Sequence, residues 1–391
     1  MGQVYFDHAA TAPVRPEVVE AMLPYLYSFW GNPSSLHATG MRAAEGVERA
    51  RAHAAALIGA DAEEIVFRGS GTEADNHALI GSAFALRRKG EHIITSAIEH
   101  HAILHTAEFL AEAGYRVTVL PVDSTGTVDP DDVRAAITDR TVLVSIMHAN
   151  NEVGTIQPVA EIGAICRRRG VLFHTDAVQT AGHLPIDVGA MNADLLSLSA
   201  HKFGGPKGVG ALYVCAGVTL SSYMHGGGQE MGRRASTENV AGIVGLGEAA
   251  RLAKRDMASE GADAAELRDI VVQGALERVP RIRITGHPTR RLPKNASFCI
   301  AGVEGRAIVR ELDAAGFAVS SGSACTSGKL SPSHVLLAMG IAPDVARGSL
   351  RVSVGPGNTR DEVASLLDVL PEVVDRIRAS TSPAEARLAR A

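Results

Sequence analysis

Residues 195–208 read LLSLSAHKFGGPKG, an apolar run followed at once by serine, histidine and lysine and then by a glycine-rich stretch. The apolar part predicts a strand, Leu195–Ser199, with Lys202 just beyond its end. A lysine that forms a Schiff base has to lie at the rim of a site and be partly desolvated, so that its neutral amine is accessible. Lys202 fits that requirement, although a lysine in a loop is more often a surface residue, and Lys207 is a nearby alternative.

Around this stretch, short β-branched runs alternate with longer helical patterns over the first 215 residues, which predicts a mostly parallel sheet with helices on its faces, an α/β fold. The predicted strands are Ile65–Phe67, His92–Ser96, Arg116–Leu120, Val142–Met147, Val171–Asp176, Leu195–Ser199 and Ala211–Val214. The helices predicted between them are Met41–Leu57, Thr72–Lys89, Ala102–Glu112 and Pro158–Arg168.

After residue 250 the pattern changes to a long helix rich in Ala, Glu and Arg, followed by short strands and further helices. The strands predicted here are Arg281–Thr285, Ser297–Ala301, Phe317–Ser320 and Leu350–Val354. The helices are Glu304–Ala315, Pro332–Met339 and Asp361–Arg378. We therefore predict a large domain of residues 16–255 and a smaller α+β domain of residues 1–15 and 256–391.

The composition of the chain excludes several classes of function. Of the 391 residues, 46% are hydrophobic, which is enough for a sizeable core. The net charge is −5, whereas a nucleic-acid-binding protein is expected to carry a basic surface, so we expect no nucleic-acid binding. The start of the chain lacks a secretory pattern, and no apolar run approaches the roughly 20 residues that span a membrane. The four cysteines are too far apart for a Cys-x-x-Cys pair, and reduced thiols fit a cytoplasmic protein with no membrane association. His101 and His105 could share a helix face, but without a third ligand we expect no metal site.

Other polar residues follow predicted strands. Asp176 ends one strand, where its carboxylate could keep a cofactor ring nitrogen protonated or could simply cap a helix. The stretch GSGT at residues 69–72 opens a helix, where backbone N–H groups attract an anion, although Thr72 could also be just a cap. His100 would suit ring stacking or proton transfer.

Two residues of the second half also stand out. Cys325 lies in the small, polar stretch SSGSACTSG at residues 320–328, where a reactive thiolate is more expected than an inert core thiol. Arg351 lies inside a predicted strand, so its guanidinium needs a partner, either a substrate carboxylate or a structural acid. The glycine-rich loop at residues 226–230 and the probable helix start at residues 236–239 could also cradle a phosphate.

The ordered set of these segments resembles the cysteine desulfurases of the NifS/IscS type, within the class V aminotransferase group of pyridoxal-phosphate enzymes. The resemblance runs from YFDHAAT at residues 5–11 through NPSS at 32–35 and MHANNEVG at 147–154 to the lysine segment, the Cys325 stretch and Asn358-Thr359. It therefore covers nearly the whole chain. It implies fold type I of the pyridoxal-phosphate transferases, a seven-stranded large domain, and a homodimer.

The resemblance also implies roles for individual residues. Lys202 would form the Schiff base with pyridoxal 5′-phosphate, Asp176 would pair with the pyridinium nitrogen, and Gln179 would bond the phenolic oxygen. His100 would stack on the ring and move protons. The implied phosphate ligands are Gly71, Thr72, Ser199, His201 and, reaching in from the partner subunit, Thr237. Asn151 and Arg351 would hold the carboxylate of L-cysteine, and Cys325 would take its sulfur as a persulfide for an acceptor or iron–sulfur scaffold protein.

The chain departs from the family pattern in places. Serine stands at position 236 where the family usually has glycine, histidine stands at position 8 where it usually has asparagine, and RGSGT at residues 68–72 replaces a usual TSGAT. The alternatives that stay open are a selenocysteine lyase, another class V enzyme such as an aminotransferase, and a catalytically silent scaffold. The sequence does not name the sulfur acceptor.

Overall fold

The computed structural model describes residues 3–322 and 331–380. In chain order its strands are β1 (Val4–Tyr5), β2 (Ile65–Arg68), β3 (His92–Ser96), β4 (Arg116–Leu120), β5 (Thr141–Ser145), β6 (Leu172–Asp176), β7 (Leu195–Ser199), β8 (Gly210–Val214), β9 (Ile282–Ile284), β10 (Asn295–Ile300), β11 (Phe317–Ala318) and β12 (Ser349–Ser353). Its α-helices are α1 (Pro16–Tyr27), α2 (Ala38–Ile58), α3 (Gly71–Ala85), α4 (His101–Glu112), α5 (Pro130–Ala136), α6 (Val159–Arg169), α7 (Val240–Arg278), α8 (Gly305–Ala314), α9 (His334–Ala338), α10 (Pro343–Ala346) and α11 (Arg360–Ser380).

The large sheet has seven strands in the order β2-β8-β7-β6-β5-β3-β4. Its central strands pair in parallel, and β8 runs antiparallel to both of its neighbours. Strands covered on both faces read as near-continuous apolar runs, whereas the edge strand β4 is largely exposed. The predicted α/β class and the mostly parallel seven-stranded sheet are confirmed.

The predicted element bounds are close to those observed, and the differences have local causes. Strands β3, β4 and β7 have the predicted limits, but β5 ends at Ser145 instead of Met147. The reason is that the backbone N–H of Met147 donates to the side-chain carboxylate of Glu99 instead of to a neighbouring strand. Helix α6 begins at Val159, with Pro158 at its N-cap position.

A second sheet, β12-β10-β9, is antiparallel, and the short strand β1 pairs in parallel with β11. The strand predicted over Phe317–Ser320 shrinks to two residues because its partner β1 has only two. Residues of β10, β12, α8 and α11 form their own apolar cluster around Phe298 and Leu350. None of the described helices combines the length and apolar character needed to cross a membrane.

The long helix α7 begins at Val240 with Asn239 as its N-cap, which confirms the helix start predicted at residues 236–239, and the long helix predicted after residue 250 is its continuation. Its first turns contain glycines, which close helix packing requires. A Cβ on Gly247 would lie 2.4 Å from Cα of Ala50 in α2, and one on Gly245 would lie 2.6 Å from Sδ of Met22 in α1. The helix passes without a break through position 255, so the domain boundary placed there stays a prediction.

Candidate active site at the carboxyl edge of the large sheet

The carboxyl ends of parallel strands meet at one edge of a sheet, and ligands bind there in open α/β folds. At this edge lies a cavity of about 520 Å³. It brings together these predicted site residues: Gly71, Thr72, His100, Asn151, Asp176, Gln179, Ser199, His201, Lys202 and Arg351. Residues of α3, β6, β7 and β12 and of the loops between elements thus converge on one space, which the N-terminal residues Ala9, Ala10 and Thr11 also line.

Lys202 ends a short 3₁₀ turn, Ala200–Lys202, that follows β7 directly. Its Nζ donates to the backbone oxygens of Ala9 at 2.8 Å and Ala10 at 2.7 Å. The alternative, Lys207, also lines the cavity but is exposed. Lys202 therefore has the more desolvated amine, which is the property a Schiff-base lysine needs.

Asp176 is buried at the end of β6, and one of its oxygens accepts from the backbone N–H of Val178 at 2.8 Å. Burial raises the pKa of Asp176 to about 6. A second buried carboxylate, Asp75 of α3, lines the same cavity, and burial together with the charge of Asp176 raises its pKa as well. Two acids in a dry cavity favour a positively charged or proton-donating ligand between them.

Sequence reasoning missed Asp75. The available signal was its spacing, since Asp75 lies three residues after Thr72 and so occupies the same face of the predicted helix. Its Oδ1 is buried and has no hydrogen-bond partner among the described residues. The same holds for Oε1 of Gln179, whose Nε2 donates to the backbone oxygen of Ala9 at 3.0 Å. Buried polar atoms without partners cost free energy unless a ligand satisfies them.

One end of the cavity suits a phosphate. Helix α3 begins there, and its N-cap is Ser70, whose Oγ accepts from the N–H of Glu73 at 3.1 Å, so Thr72 is not the cap. A Cβ on Gly71 would lie 2.8 Å from Cγ2 of Val178 and 3.2 Å from Cβ of Ser199, so glycine allows the helix end to pack against both loops. Free N–H groups of a helix N-terminus attract anions.

His201 and His100 both lie in the cavity as neutral imidazoles at pH 7. Burial, then the charges of Lys202 and Lys207, lower the pKa of His201 to about 4, and its Nδ1 lies 3.1 Å from Oγ1 of Thr11. Burial, then Lys202, lowers the pKa of His100 to about 4. Nδ1 of His100 accepts from the N–H of Ala102 at 3.1 Å, which assigns the ring hydrogen to Nε2.

Arg351, in β12, is 2% exposed. Its Nη1 donates to the backbone oxygen of Asn151 and its Nη2 to Oδ1 of Asp7, both at 2.8 Å. Its Nε is buried and has no hydrogen-bond partner among the described residues. The guanidinium therefore has a structural acid partner, and because Arg351 also lines the cavity, a ligand carboxylate there would share the guanidinium with Asp7.

One predicted site residue is not among those that line this cavity, and another is not among the described residues. Thr237 lies in a separate groove with Arg68, Gly208 and Arg234, so its contact with the site of a partner subunit stays a prediction. Cys325 lies outside the described residues. Gly322, just before that gap, lines the cavity, as do His101, Glu152 and His334. The ring centroid of His101 lies 4.9 Å from that of His105 and 4.7 Å from that of His334, but no group in residues 3–322 and 331–380 could hold a metal ion.

A buried acid beside unpartnered polar atoms, a desolvated lysine and a helix N-terminus match the ring nitrogen, aldehyde and phosphate of pyridoxal phosphate, so the residues present fit that group. Comparison with known proteins leads to the same class. The aminotransferase class-V family matches residues 4–366, and the chain belongs to this family of pyridoxal-phosphate enzymes.

Individual relatives indicate a more specific group within this family. The chain is 50% identical over 378 residues to "Cysteine desulfurase IscS" from Clostridium botulinum, covering 96% of this chain and 95% of the relative. A solved structure of a NifS-like protein matches with a TM-score of 0.90 and 36% identity, covering 96% of this chain and all of the other. The structure described as SspA in complex with cysteine matches with a TM-score of 0.80 and 37% identity, covering 91% and 100%.

Proposed function

We propose that this protein is a cysteine desulfurase, which converts L-cysteine to L-alanine and passes the sulfur on as a persulfide of Cys325. The observation that carries the proposal is the convergence of Lys202, Asp176 and Arg351 on one cavity. The 50% identity to a cysteine desulfurase over nearly the whole chain supports it. The cysteine named in the SspA complex supports an amino acid of this size as substrate.

Bound pyridoxal phosphate supplies an electron sink for bonds at the substrate's carbon atoms. The protein's part is to hold and orient. Lys202 would bind the cofactor through Nζ, and Asp176 would orient it by holding a proton on the ring nitrogen. The N-terminus of α3, with Thr72, Ser199 and His201, would bind the phosphate.

The substrate's carboxylate has its own partners. Arg351 would bind it with the guanidinium that Asp7 and the backbone oxygen of Asn151 hold in place, and both Arg351 and Asn151 line the cavity. His100 is neutral and carries its hydrogen on Nε2, so it can stack on a flat ring and give or take a proton at that atom. These contacts orient the Cβ–S bond of cysteine for attack.

Sulfur transfer then needs a thiolate. The Cys325 thiolate forms an S–S bond with the substrate sulfur while the substrate's Cβ–S bond breaks. The electron pair of the broken bond remains on Cβ. Protonation of that carbon completes L-alanine, and the persulfide stays on Cys325. An acceptor or iron–sulfur scaffold protein would take the sulfur from there.

We further propose that the protein is a cytoplasmic homodimer in which Thr237 contributes to the partner subunit's phosphate site. An apolar surface along and after α1 supports an interface, because Trp30 is 72% exposed and Leu36 is 94% exposed. Exposed apolar patches of this kind mark protein contacts. Sedimentation at several concentrations tests the dimer, and a monomer at all of them would contradict it.

The decisive experiment measures alanine and persulfide from L-cysteine with the cofactor-loaded protein. We expect Cys325→Ala to bind cofactor and cysteine but to form no persulfide, and Lys202→Ala to lose the visible absorption of the attached cofactor. Cys215→Ala is the matched control, because Cys215 is half-buried and does not line the cavity. Full turnover by Cys325→Ala would overturn the proposal, and preference for L-selenocysteine without need of Cys325 would favour a selenocysteine lyase.

A further inference from the structure

Behind the turn that carries Lys202 lies a second cavity, of about 200 Å³. Its walls are mainly apolar and include Phe203, Ala253 and Met257. Lys202 lines both this cavity and the candidate active site, so its turn forms part of the wall between them. The second cavity also contains His183 and Lys294, which the proposed function does not use.

His183 contacts the main chain of the turn. Its Nε2 lies 2.8 Å from the carbonyl oxygen of Lys202 and 2.7 Å from Nζ of Lys294. Lys294 is 2% exposed and has no carboxylate within ion-pair distance among the described residues. Its amine is thus placed against a histidine, not against an acid.

One nitrogen cannot serve both contacts. A ring Nε2 carries either a hydrogen, which it can donate to the carbonyl oxygen of Lys202, or a lone pair, which can accept from a charged Lys294. Burial, with the charges of Lys202 and Arg351, lowers the pKa of Lys294 well below its usual range. A neutral Lys294 leaves His183 able to donate to the carbonyl, and a charged Lys294 takes His183 away from it.

Other charged groups face this pair. His8 and Arg15 act on His183 from the N-terminal segment, and Arg15 is itself paired with Asp256 and Glu260 of α7. The backbone oxygen of Lys294 accepts from the N–H of Val354 at 3.0 Å, next to the end of β12, which carries Arg351. The pair therefore connects the strand of the carboxylate-binding arginine to the turn of Lys202.

We propose that His183 is a positioning residue for Lys202, and that Lys294 competes with the carbonyl oxygen of Lys202 for the single hydrogen-bonding position at His183 Nε2. The role of Lys202 as cofactor lysine rests on the proposed function, but the competition itself does not. When His183 holds the carbonyl, the turn is fixed and Nζ is presented to the first cavity. When Lys294 holds His183, the turn loses that support.

The test measures the ¹³C chemical shift of the Lys202 carbonyl carbon. Lys202-Phe203 is the one Lys-Phe pair in the sequence, so labelling lysine carbonyls with ¹³C and phenylalanine nitrogens with ¹⁵N gives a single cross-peak for this peptide bond. We expect the carbonyl shift of the wild-type holoprotein to titrate with pH, moving downfield as His183 donates. We expect the carbonyl shift of Lys294→Met to stay downfield at every pH, because His183 then donates to the carbonyl throughout. We expect the carbonyl shift of His183→Phe to stay upfield at every pH, because no ring N–H is left to donate.

Lys254→Met is the control, because it makes the same substitution at an exposed lysine whose amine donates to the backbone carbonyl of Ala56 and does not meet His183. It should titrate like wild type. A wild-type titration that persists in Lys294→Met, or a His183→Phe shift equal to that of wild type, would overturn the proposal. If Lys294→Met fails to fold, Lys294→Gln provides the same neutral comparison.

The rate of covalent cofactor attachment to the apoprotein, measured across pH, separates the two variants in function, with His183→Phe the slower one. Loss of attachment in Lys202→Ala remains a separate test of the proposed function.

Discussion

Arg351 donates from Nη2 to Oδ1 of Asp7 at 2.8 Å, a contact between two residues that lie 344 positions apart in the chain. The N-terminal segment thus supplies the acid that orients the guanidinium at the cavity wall. Because Asp7 is 19% exposed on its side chain while Arg351 is 2% exposed, the pair stands at the boundary between the cavity and the protein interior. A ligand carboxylate would share this arginine with Asp7.

The first prediction concerns this arginine. Lysine lacks the planar fork that contacts Asp7, Asn151 and a ligand carboxylate at the same time. We expect Arg351→Lys to raise KM for L-cysteine by about tenfold or more, with a smaller effect on kcat. Steady-state alanine formation measures both constants. Arg310→Lys on the exposed face of α8 is the control, and an unchanged KM in Arg351→Lys would remove Arg351 from substrate binding.

Asp176 gives the second prediction. Asn at this position can still accept from the N–H of Val178, but it cannot balance a protonated ring nitrogen. We expect Asp176→Asn to keep the cofactor attached while kcat falls by about 100-fold or more. Asp75→Asn, the other buried acid in the cavity, should have the smaller effect. Equal losses in the two variants would mean that the acids share the role.

The third prediction concerns backbone strain in the loop before α7. Ser236 has φ of +94°, in the left-handed region that favours glycine. We expect Ser236→Gly to raise the free energy of unfolding by about 0.5–1 kcal/mol, measured in denaturant. Ser259→Gly, inside α7, should instead lower it by about 1 kcal/mol, since glycine weakens a helix interior. Destabilisation by both changes would show that the Ser236 side chain outweighs the strain.

The fourth prediction concerns pH and Glu99, which is fully buried and accepts from the N–H of Met147 and from Oγ of Ser96. Burial raises its pKa to about 8. A carboxyl whose pKa is higher in the folded than in the unfolded state binds its proton more tightly when folded, so stability falls as pH rises from about 4.5 to about 8.

Glu99→Gln removes that titration. We expect its free energy of unfolding, relative to that of wild type, to increase by about 3 kcal/mol between pH 5 and pH 8. Glu112→Gln, an exposed change at the end of α4, should show no such trend. A constant difference for Glu99→Gln across this range would mean that Glu99 is charged in the folded protein throughout.

Much of the fold could be read from the sequence because its signals are local. A run such as HIITS at residues 92–96 has the length of a strand, and its β-branched residues, two isoleucines and a threonine, favour one. Polar residues at strand ends gave Asp176, Ser199 and Lys202, and parallel pairing then brings them to one edge. The sequence predicted a helix start at residues 236–239 and a long helix after residue 250, but that the two are one helix, α7, could not be read, because the glycines between them are explained only by the packing of α1 and α2.

The sequence by itself therefore determined the α/β class, the order of the strands along the chain and the cavity residues that follow strand ends. Tertiary structure alone decided that Asp7 contacts Arg351, that Asp75 lies beside Asp176, and that Lys294 meets His183 behind Lys202. The physical reason is the distance along the chain over which each signal acts. Strand and helix signals act over a few residues, whereas these contacts depend on how two separately packed apolar clusters bring distant segments together.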